Sequence, residues 1–288
     1  MTADVGGAPT GSSPAMHYYD SDVRRRPLVT EVRNVIEFRG LLKLLVVRDL
    51  TLRYKRSMLG VWWTLLNPLL TTAVMYIVFS NVFRFEVPGG VPFVVYLLSG
   101  VLLVTFFSQG VNNVGVSLVG SANVLTKVYV PPEVFALAAA VAAAVNFTVS
   151  LLPLVVVQLL TGTGVPWTAL LVPVPVVALL CLVTGLGLLV ATSAIRFGDT
   201  LDLVAIFVIL IGYLTPTFYP ISIVPPGFRL AIEANPLYSY LVVFRGLVYE
   251  GSAAPLWNWV VMLVTAAGLL TLGAYVFSRR WRTLAALL

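Results

Sequence analysis

The sequence predicts an all-α polytopic membrane protein, and three observations predict it. The 288 residues are 59% hydrophobic and only 10% charged. A soluble domain carries about 25% charged residues, because its surface has to face water. The dense basic stretch RDLTLRYKR ends at Arg56, and no charge follows until Arg84. Five further apolar runs are each long enough to cross a hydrocarbon core about 30 Å thick at about 1.5 Å per residue.

Taken in chain order, residues 1–33 are rich in Gly, Ser, Pro and Asp. Such a composition buries too little apolar area to order itself, so a flexible tail is expected, and with no apolar centre near its start it does not read as a signal peptide. Residues 34–57 mix apolar and charged side chains at helical spacing. Phe38, Leu41, Leu42, Leu45 and Leu52 fall on one face, interrupted by Asp49 and Arg56. This predicts an amphipathic helix lying in the membrane interface with its arginines toward phosphates or a partner protein. A plain positive anchor is the other reading.

The remainder, 58–288, reads as a transmembrane domain with spans near 60–83, 93–119, 132–161, 168–194, 202–220 and 256–278. Pro153, Pro173 and Pro175 fall inside spans, where neighbouring helices can satisfy the freed carbonyls.

Lysine and arginine set the orientation. The segment through Arg56 holds ten of the eighteen. Lys127, Arg196, Arg279, Arg280 and Arg282 fall on the same side, and Arg84, Arg229 and Arg245 on the other. Six spans put both termini together, and this bias puts them in the cytoplasm. The net charge of +6 follows from that asymmetry and from attraction to anionic lipid, so no nucleic-acid partner is inferred.

Two connections are more than plain loops. The cytoplasmic segment SANVLTKVYVPPE offers Asn123 as a helix cap. Pro131 and Pro132 end the segment and open the next span. It reads either as a short helix near 121–130 that another protein could push, or as an ordinary turn. The outer segment from Phe218 to Gly251 is cut by Pro220, Pro225, Pro226 and Pro236 into pieces too short to cross a bilayer. Two short re-entrant helices near 226–248, broken at Asn235-Pro236, are expected, with a flat interfacial loop as the alternative.

Absences exclude whole classes of function. The interiors of the spans contain no Asp, Glu, Lys, Arg or His, and Glu133 and Asp202 stand only at ends. Ion-coupled carriers usually keep an ionisable group at mid-membrane. No Gly-x-x-x-x-Gly-Lys-Ser/Thr occurs, so ATP is not bound through a phosphate loop. A membrane-embedded enzyme needs convergent acid–base or metal groups. The candidates Glu86, Glu133, Asp199, Asp202, Glu233 and Glu250 are scattered over both sides, and Asp199 with Asp202 suits a helix start. Cys181 lies alone in an apolar run and His17 in the tail. No cofactor or metal site is expected.

The run RDLTLRYKRSMLGVWWTLLNPLL resembles the approach to the first span in permease subunits of type-2 ABC exporters. It is most similar to the branch that exports polysaccharides such as O-antigen, teichoic acid and cell-wall galactan. Arg48, Asp49, Arg53, Tyr54, Lys55, Ser57, Gly60, Trp63, Asn67 and Pro68 carry the resemblance. NVLTKVYVPPEVF is similar to that family's cytoplasmic coupling helix, and Asn235-Pro236 with Phe244-Arg245-Gly246 to its extracellular gate helices.

The resemblance implies a non-catalytic permease in the bacterial plasma membrane. It would form a homodimer with two copies of an ATP-binding-cassette ATPase, which would bind the ATP and Mg. Asn123, Leu125, Thr126, Lys127, Tyr129 and Pro131 would couple to that ATPase. Arg48, Asp49, Arg53, Tyr54, Lys55 and Arg56 would meet an undecaprenyl-diphosphate-linked glycan, and Asn235, Pro236 and Arg245 would belong to the gate. A sliding polymer favours aromatic walls, for which Tyr76, Phe79, Phe83, Phe106, Phe107, Tyr213, Phe218 and Tyr219 are the candidates. The alternative is an interfacial aromatic belt. Within the same transporter class, a drug or lipid is the alternative cargo.

Overall fold

The computed structural model describes residues 35–55, 57–83, 90–125 and 130–284. The tail 1–33, Arg56, Arg84, Glu86, Thr126, Lys127 and Tyr129 lie outside the described residues. Among the described residues the chain is helical. In order run α1 (Arg39–Tyr54), α2 (Trp62–Val78, extended by a π-turn Phe79–Phe83), α3 (Phe93–Gly120), α4 (Ala122–Leu125) and α5 (Glu133–Leu160). A 3-10 turn (Trp167–Leu171) leads into α6 (Pro173–Ala194), and α7 (Thr200–Leu214) follows. Then come α8 (Pro226–Glu233), α9 (Pro236–Arg245) with a π-turn Gly246–Glu250, and α10 (Leu256–Leu284).

Among the described residues, five helical segments are long and apolar enough to cross a membrane: Trp62–Asn81, Phe93–Gly120, Glu133–Leu160, Trp167–Ala194 and Leu256–Trp281. The chain is a multi-pass membrane protein. The expected span at 202–220 is shorter in the structure. Helix α7 stops at Leu214, and its 15 residues reach about 22 Å at 1.5 Å each. Proline disfavours helical geometry in the residue before it, and Thr215, which precedes Pro216, is extended at φ −79°, ψ 131°. Residues 215–219 continue as irregular backbone.

Pro173 lies inside the span Trp167–Ala194, as expected, at a helix boundary within it. It opens α6 rather than interrupting it, and a helix's first turn has no N–H to lose there. Pro153 lies inside α5 and Pro68 inside α2. Asn123 is the second residue of the four-residue α4 rather than its cap. Ser121 precedes that helix and accepts Leu125 N–H through its carbonyl at 3.1 Å.

Helices α3, α5, α6 and α10 form the packed centre, and small residues decide how closely they approach. Lipid gives helices no hydrophobic reason to associate, so backbone proximity and van der Waals contact have to hold them. Val183 of α6 sits over Gly110 of α3, and Val114 of α3 sits over Gly187 of α6. Side chains built at those glycines would meet the valines at 2.6 and 2.4 Å. Helices α6 and α10 come closer still, backbone to backbone, at Gly185 and Gly273. On α5 the buried alanines 136, 138, 139, 140, 142 and 143 play the same part against its neighbours.

Helix α1 packs on α5 by its apolar face. Leu45 is buried, and Phe38, Leu41, Leu42 and Val46 lie against the core, while Leu52 stays exposed. Helix α2 is the opposite case, with Leu70, Val74 and Ile77 exposed along its length.

Candidate functional site

Two polar constructions stand at opposite ends of the helical bundle. The first is a cleft where α1 hands over to α2. Gly60, at φ +50°, lies in the left-handed region that glycine adopts without strain. It turns the chain so that α2 starts beside α1, and its N–H donates to Ser57 Oγ at 3.0 Å. Arg53 and Tyr54, in the last turn of α1, then face α2, α3 and α5 across a cavity of about 280 Å³. Arg53 Nη2 donates to Gln109 Oε1 at 2.8 Å. The Tyr54 hydroxyl lies 2.5 Å from Asn146 Oδ1 and 2.6 Å from Thr64 Oγ1. Ser150 Oγ donates to the Thr64 carbonyl at 3.1 Å.

A second cavity of about 570 Å³ adjoins it, sharing Arg53, Gln109 and Asn146, and opens past Arg48 and Asn113. Arg48 and Asp49 pair with each other at 2.8 Å. Such an exposed pair between neighbours adds little stability. Deeper in the cleft, hydrogen-bonding groups are amides and hydroxyls. That surface suits hydroxylated solutes and provides no proton-transfer pair.

The second construction surrounds the irregular segment after α7. Helix α9 grips it from both ends. At its start Asn235 accepts Leu237 N–H at 3.1 Å as a helix cap and donates through Nδ2 to Thr215 Oγ1 at 2.9 Å. At its end the buried Arg245 donates through Nη1 to Pro216 O at 3.0 Å. Its Nη2 donates to Tyr96 O at 3.1 Å and Thr217 O at 3.4 Å, and its Nε to Ser99 Oγ at 3.3 Å.

The same guanidinium lies over the Tyr96 ring at 3.6 Å, a cation–π contact. The Tyr96 hydroxyl in turn reaches Pro216 O at 3.0 Å and Tyr219 O at 2.7 Å. A side chain at Gly100 would come within 3.0 Å of Arg245 Nη2 and 2.9 Å of Thr217 Cγ2, so only glycine leaves room for this clamp.

Behind the clamp, Gln158 Nε2 donates to Val248 O at 2.8 Å and Thr168 Oγ1 to Leu247 O at 2.9 Å. These two side chains occupy carbonyls of the π-turn that ends α9. Partial desolvation pushes the Glu250 carboxyl above the usual carboxylate range although the residue stays open to solvent, with Arg245 pulling the other way. Burial likewise raises the Tyr238 and Tyr249 hydroxyls.

Residues 40–249 match the model of the family described as ABC-2 type transporter. The chain belongs to the ABC-2 type transporter membrane family. It is similar to the O-antigen export system permease protein RfbA of Myxococcus xanthus, 30% identical over 225 residues that cover 77% of this chain and 85% of the relative. It is also similar to the protein of that name from Klebsiella pneumoniae. There it is 28% identical over 214 residues, covering 74% of this chain and 81% of the relative.

Within this ABC-2 chain the residues singled out from sequence fall into distinct places. Arg53 and Tyr54 meet in the cleft, and Arg48, Asp49 and Lys55 line its outer approaches. Asn235 caps α9 and Pro236 and Arg245 are its first and last residues, and the clamp joins the two polar ones around Thr215–Thr217. Of the coupling set, Asn123 and Leu125 lie on α4, and Pro131 is buried at the approach to α5.

The aromatic candidates divide. Phe106 lines the cleft and stacks on Phe147 at 4.8 Å, and Phe107 is buried in the core. Phe79 stacks on Phe218 at 6.0 Å. Tyr76 meets Phe93 at 6.3 Å, and Phe93 meets Tyr96 at 6.1 Å, a chain of rings that ends at the clamp. Tyr213 is exposed, and its carbonyl accepts a long 3.4 Å bond from the Tyr219 hydroxyl.

Tyr96, Ser99, Gln109, Asn146 and Thr64 are site residues that the charge, proline and aromatic patterns of the sequence do not mark. Gln109, Asn113 and Asn146 are amides inside otherwise apolar runs, and a polar side chain at membrane depth is itself a signal.

Proposed function

We propose that this chain is the membrane-spanning permease subunit of an ATP-driven exporter that moves an undecaprenyl-diphosphate-linked polysaccharide out across the bacterial plasma membrane. One observation carries the reading: a cleft in which the amides and hydroxyls of Tyr54, Thr64, Gln109 and Asn146 surround the one lining cation, Arg53, itself held by Gln109. It presents many hydrogen-bonding partners to a sugar beside a charge that is already engaged. Arg53 in the cleft and Lys55 on its outer approach supply cations for the diphosphate, and Arg56, outside the described residues, follows them in sequence. The export named for the two relatives supports both the cargo and the direction.

Both termini lie in the cytoplasm in this reading. Two copies of the chain pair with two copies of an ATPase, which binds ATP and Mg. The permease itself performs no catalytic step.

Depleting the protein in its host is the direct test. Lipid-linked glycan should accumulate inside the cell and surface glycan should fall. Unchanged surface glycan with no internal build-up would exclude this cargo. Coupling is tested separately. Substituting Lys127→Glu together with Tyr129→Glu should leave expression intact and abolish export, because the acidic pair no longer seats against the ATPase. Export at the unsubstituted rate would remove those two residues from the coupling contact.

A further inference from the structure

A cavity of about 190 Å³ lies beside the clamp, lined by Arg245, Glu250, Tyr238, Tyr249, Ser222 and Pro216 among others. It stands at the end of the bundle away from the α1 cleft and shares no lining residue with it.

Its chemistry is unusual for a structural gap. A guanidinium has five N–H donors, and the bonds of Arg245 to Ser99, Pro216, Tyr96 and Thr217 occupy four. One Nη1 donor is left over. Glu250 forms no ion pair among the described residues, although its carboxyl feels the Arg245 charge. Neither the Tyr238 hydroxyl nor the Ser222 hydroxyl makes a hydrogen bond among the described residues. One small space is therefore surrounded by a spare cationic donor, a spare carboxylate acceptor, two uncommitted hydroxyls and the rings of two tyrosines.

We propose that this cavity is a saccharide subsite that holds one pyranose ring of the glycan. The proposal rests on the reading of the chain as a polysaccharide permease and adds a binding position to it. The combination selects a neutral polyol. A carboxylate accepts from vicinal hydroxyls, a guanidinium donates to them, and tyrosine rings cover the C–H face of a sugar. A free anion is disfavoured because Glu250 lines the same space as Arg245, and a cation is disfavoured for the reciprocal reason. The volume suits one ring and not two. Binding is weak, in the millimolar range, since one donor and one carboxylate serve it. That weakness is what a passage for a moving polymer requires.

The probes are the methyl glycosides of galactose, mannose, rhamnose and N-acetylglucosamine, added at millimolar concentration to the full-length chain in lipid nanodiscs. Binding is read by saturation-transfer NMR. Two variants at exposed positions, Ser222→Trp to block the cavity and Glu250→Gln to remove the carboxylate, are compared with the unsubstituted chain. Each is checked to remain monodisperse.

The expected result is transfer to at least one glycoside, reduced several-fold in both variants. No transfer to any of the four, or transfer that survives Ser222→Trp, overturns the proposal. Depleted cells complemented with the unsubstituted chain separate this from the larger reading. If they regain glycan export while the glycosides fail to bind, the subsite is wrong and the permease assignment stands. If complementation restores no glycan export, the assignment itself has failed.

Discussion

Gly185→Ala is expected to destabilise the protein at or above the upper end of the ~1–3 kcal/mol that overpacking a well-packed core costs. A Cβ at this position would lie 2.3 Å from the Leu269 carbonyl oxygen and 2.6 Å from the Leu270 nitrogen. These are backbone atoms of α10, which no rotamer change can move aside. Gly273 faces the same contact from the other helix, with a Cβ there 2.2 Å from the Gly185 oxygen. The α6–α10 pair would have to separate along its length.

The control makes the sign informative. Gly268 is also on α10, but a Cβ there meets nothing within 4 Å. Gly268→Ala should be neutral or stabilising, because alanine is the better helix former by about 1 kcal/mol. The measurement is the fraction of each variant still monodisperse after heating in detergent. If Gly185→Ala and Gly268→Ala behave alike, the close crossing is not what holds these helices.

Arg245→Leu should be the second severe substitution. It removes the shared donor for Tyr96 O, Pro216 O and Thr217 O, and it leaves Ser99 and the Tyr96 ring without their cation. Pro216 O keeps the Tyr96 hydroxyl and Tyr96 O keeps the Ser99 hydroxyl, so the loss is that of the charge-assisted bonds themselves. A hydrogen bond to a charged group contributes about 1.5–3 kcal/mol, and the loss is concentrated where the chain leaves α7.

Arg245→Lys is predicted to recover only part of this. An ammonium keeps the charge over the Tyr96 ring but cannot present a planar fork to separated carbonyls. Limited proteolysis of the 215–224 segment reads the difference. Cleavage should be fast in Arg245→Leu, intermediate in Arg245→Lys and slow in the unsubstituted chain. Equal protection in all three would show that Asn235 and the Tyr96 hydroxyl hold the segment without Arg245.

These two positions differ in how far sequence could reach them. Arg245 was visible as an arginine in an outer apolar segment next to a glycine. Its partners were not, because Tyr96 lies 149 residues earlier and nothing local joins them. The glycine crossing was invisible for a related reason. Among 22 glycines, only the docking of α6 on α10 distinguishes Gly185 from Gly268. The cleft was half legible. The RDLTLRYKR motif marked Arg53 and Tyr54, whereas Gln109 and Asn146 needed α3 and α5 to be placed beside α1. The end of α7 shows a local rule that was available and outweighed by hydropathy. Residues 202–220 are apolar throughout enough to suggest one span, yet Thr215-Pro216 stops the helix at Leu214.

The chain's apolar runs, its nearly uncharged interior and the basic stretch before α2 determined by themselves that this is a multi-pass helical membrane protein. Those properties depend on each segment's own free energy of transfer out of water, which is a sum over local residues. The tertiary structure alone decided which helices touch at glycine, that α9 clamps the segment after α7, and that polar side chains from four helices line one cleft. Each of these depends on contact distances between residues far apart in sequence. Lipid, being as apolar as the helices, leaves close packing and buried hydrogen bonds to choose among the possible arrangements.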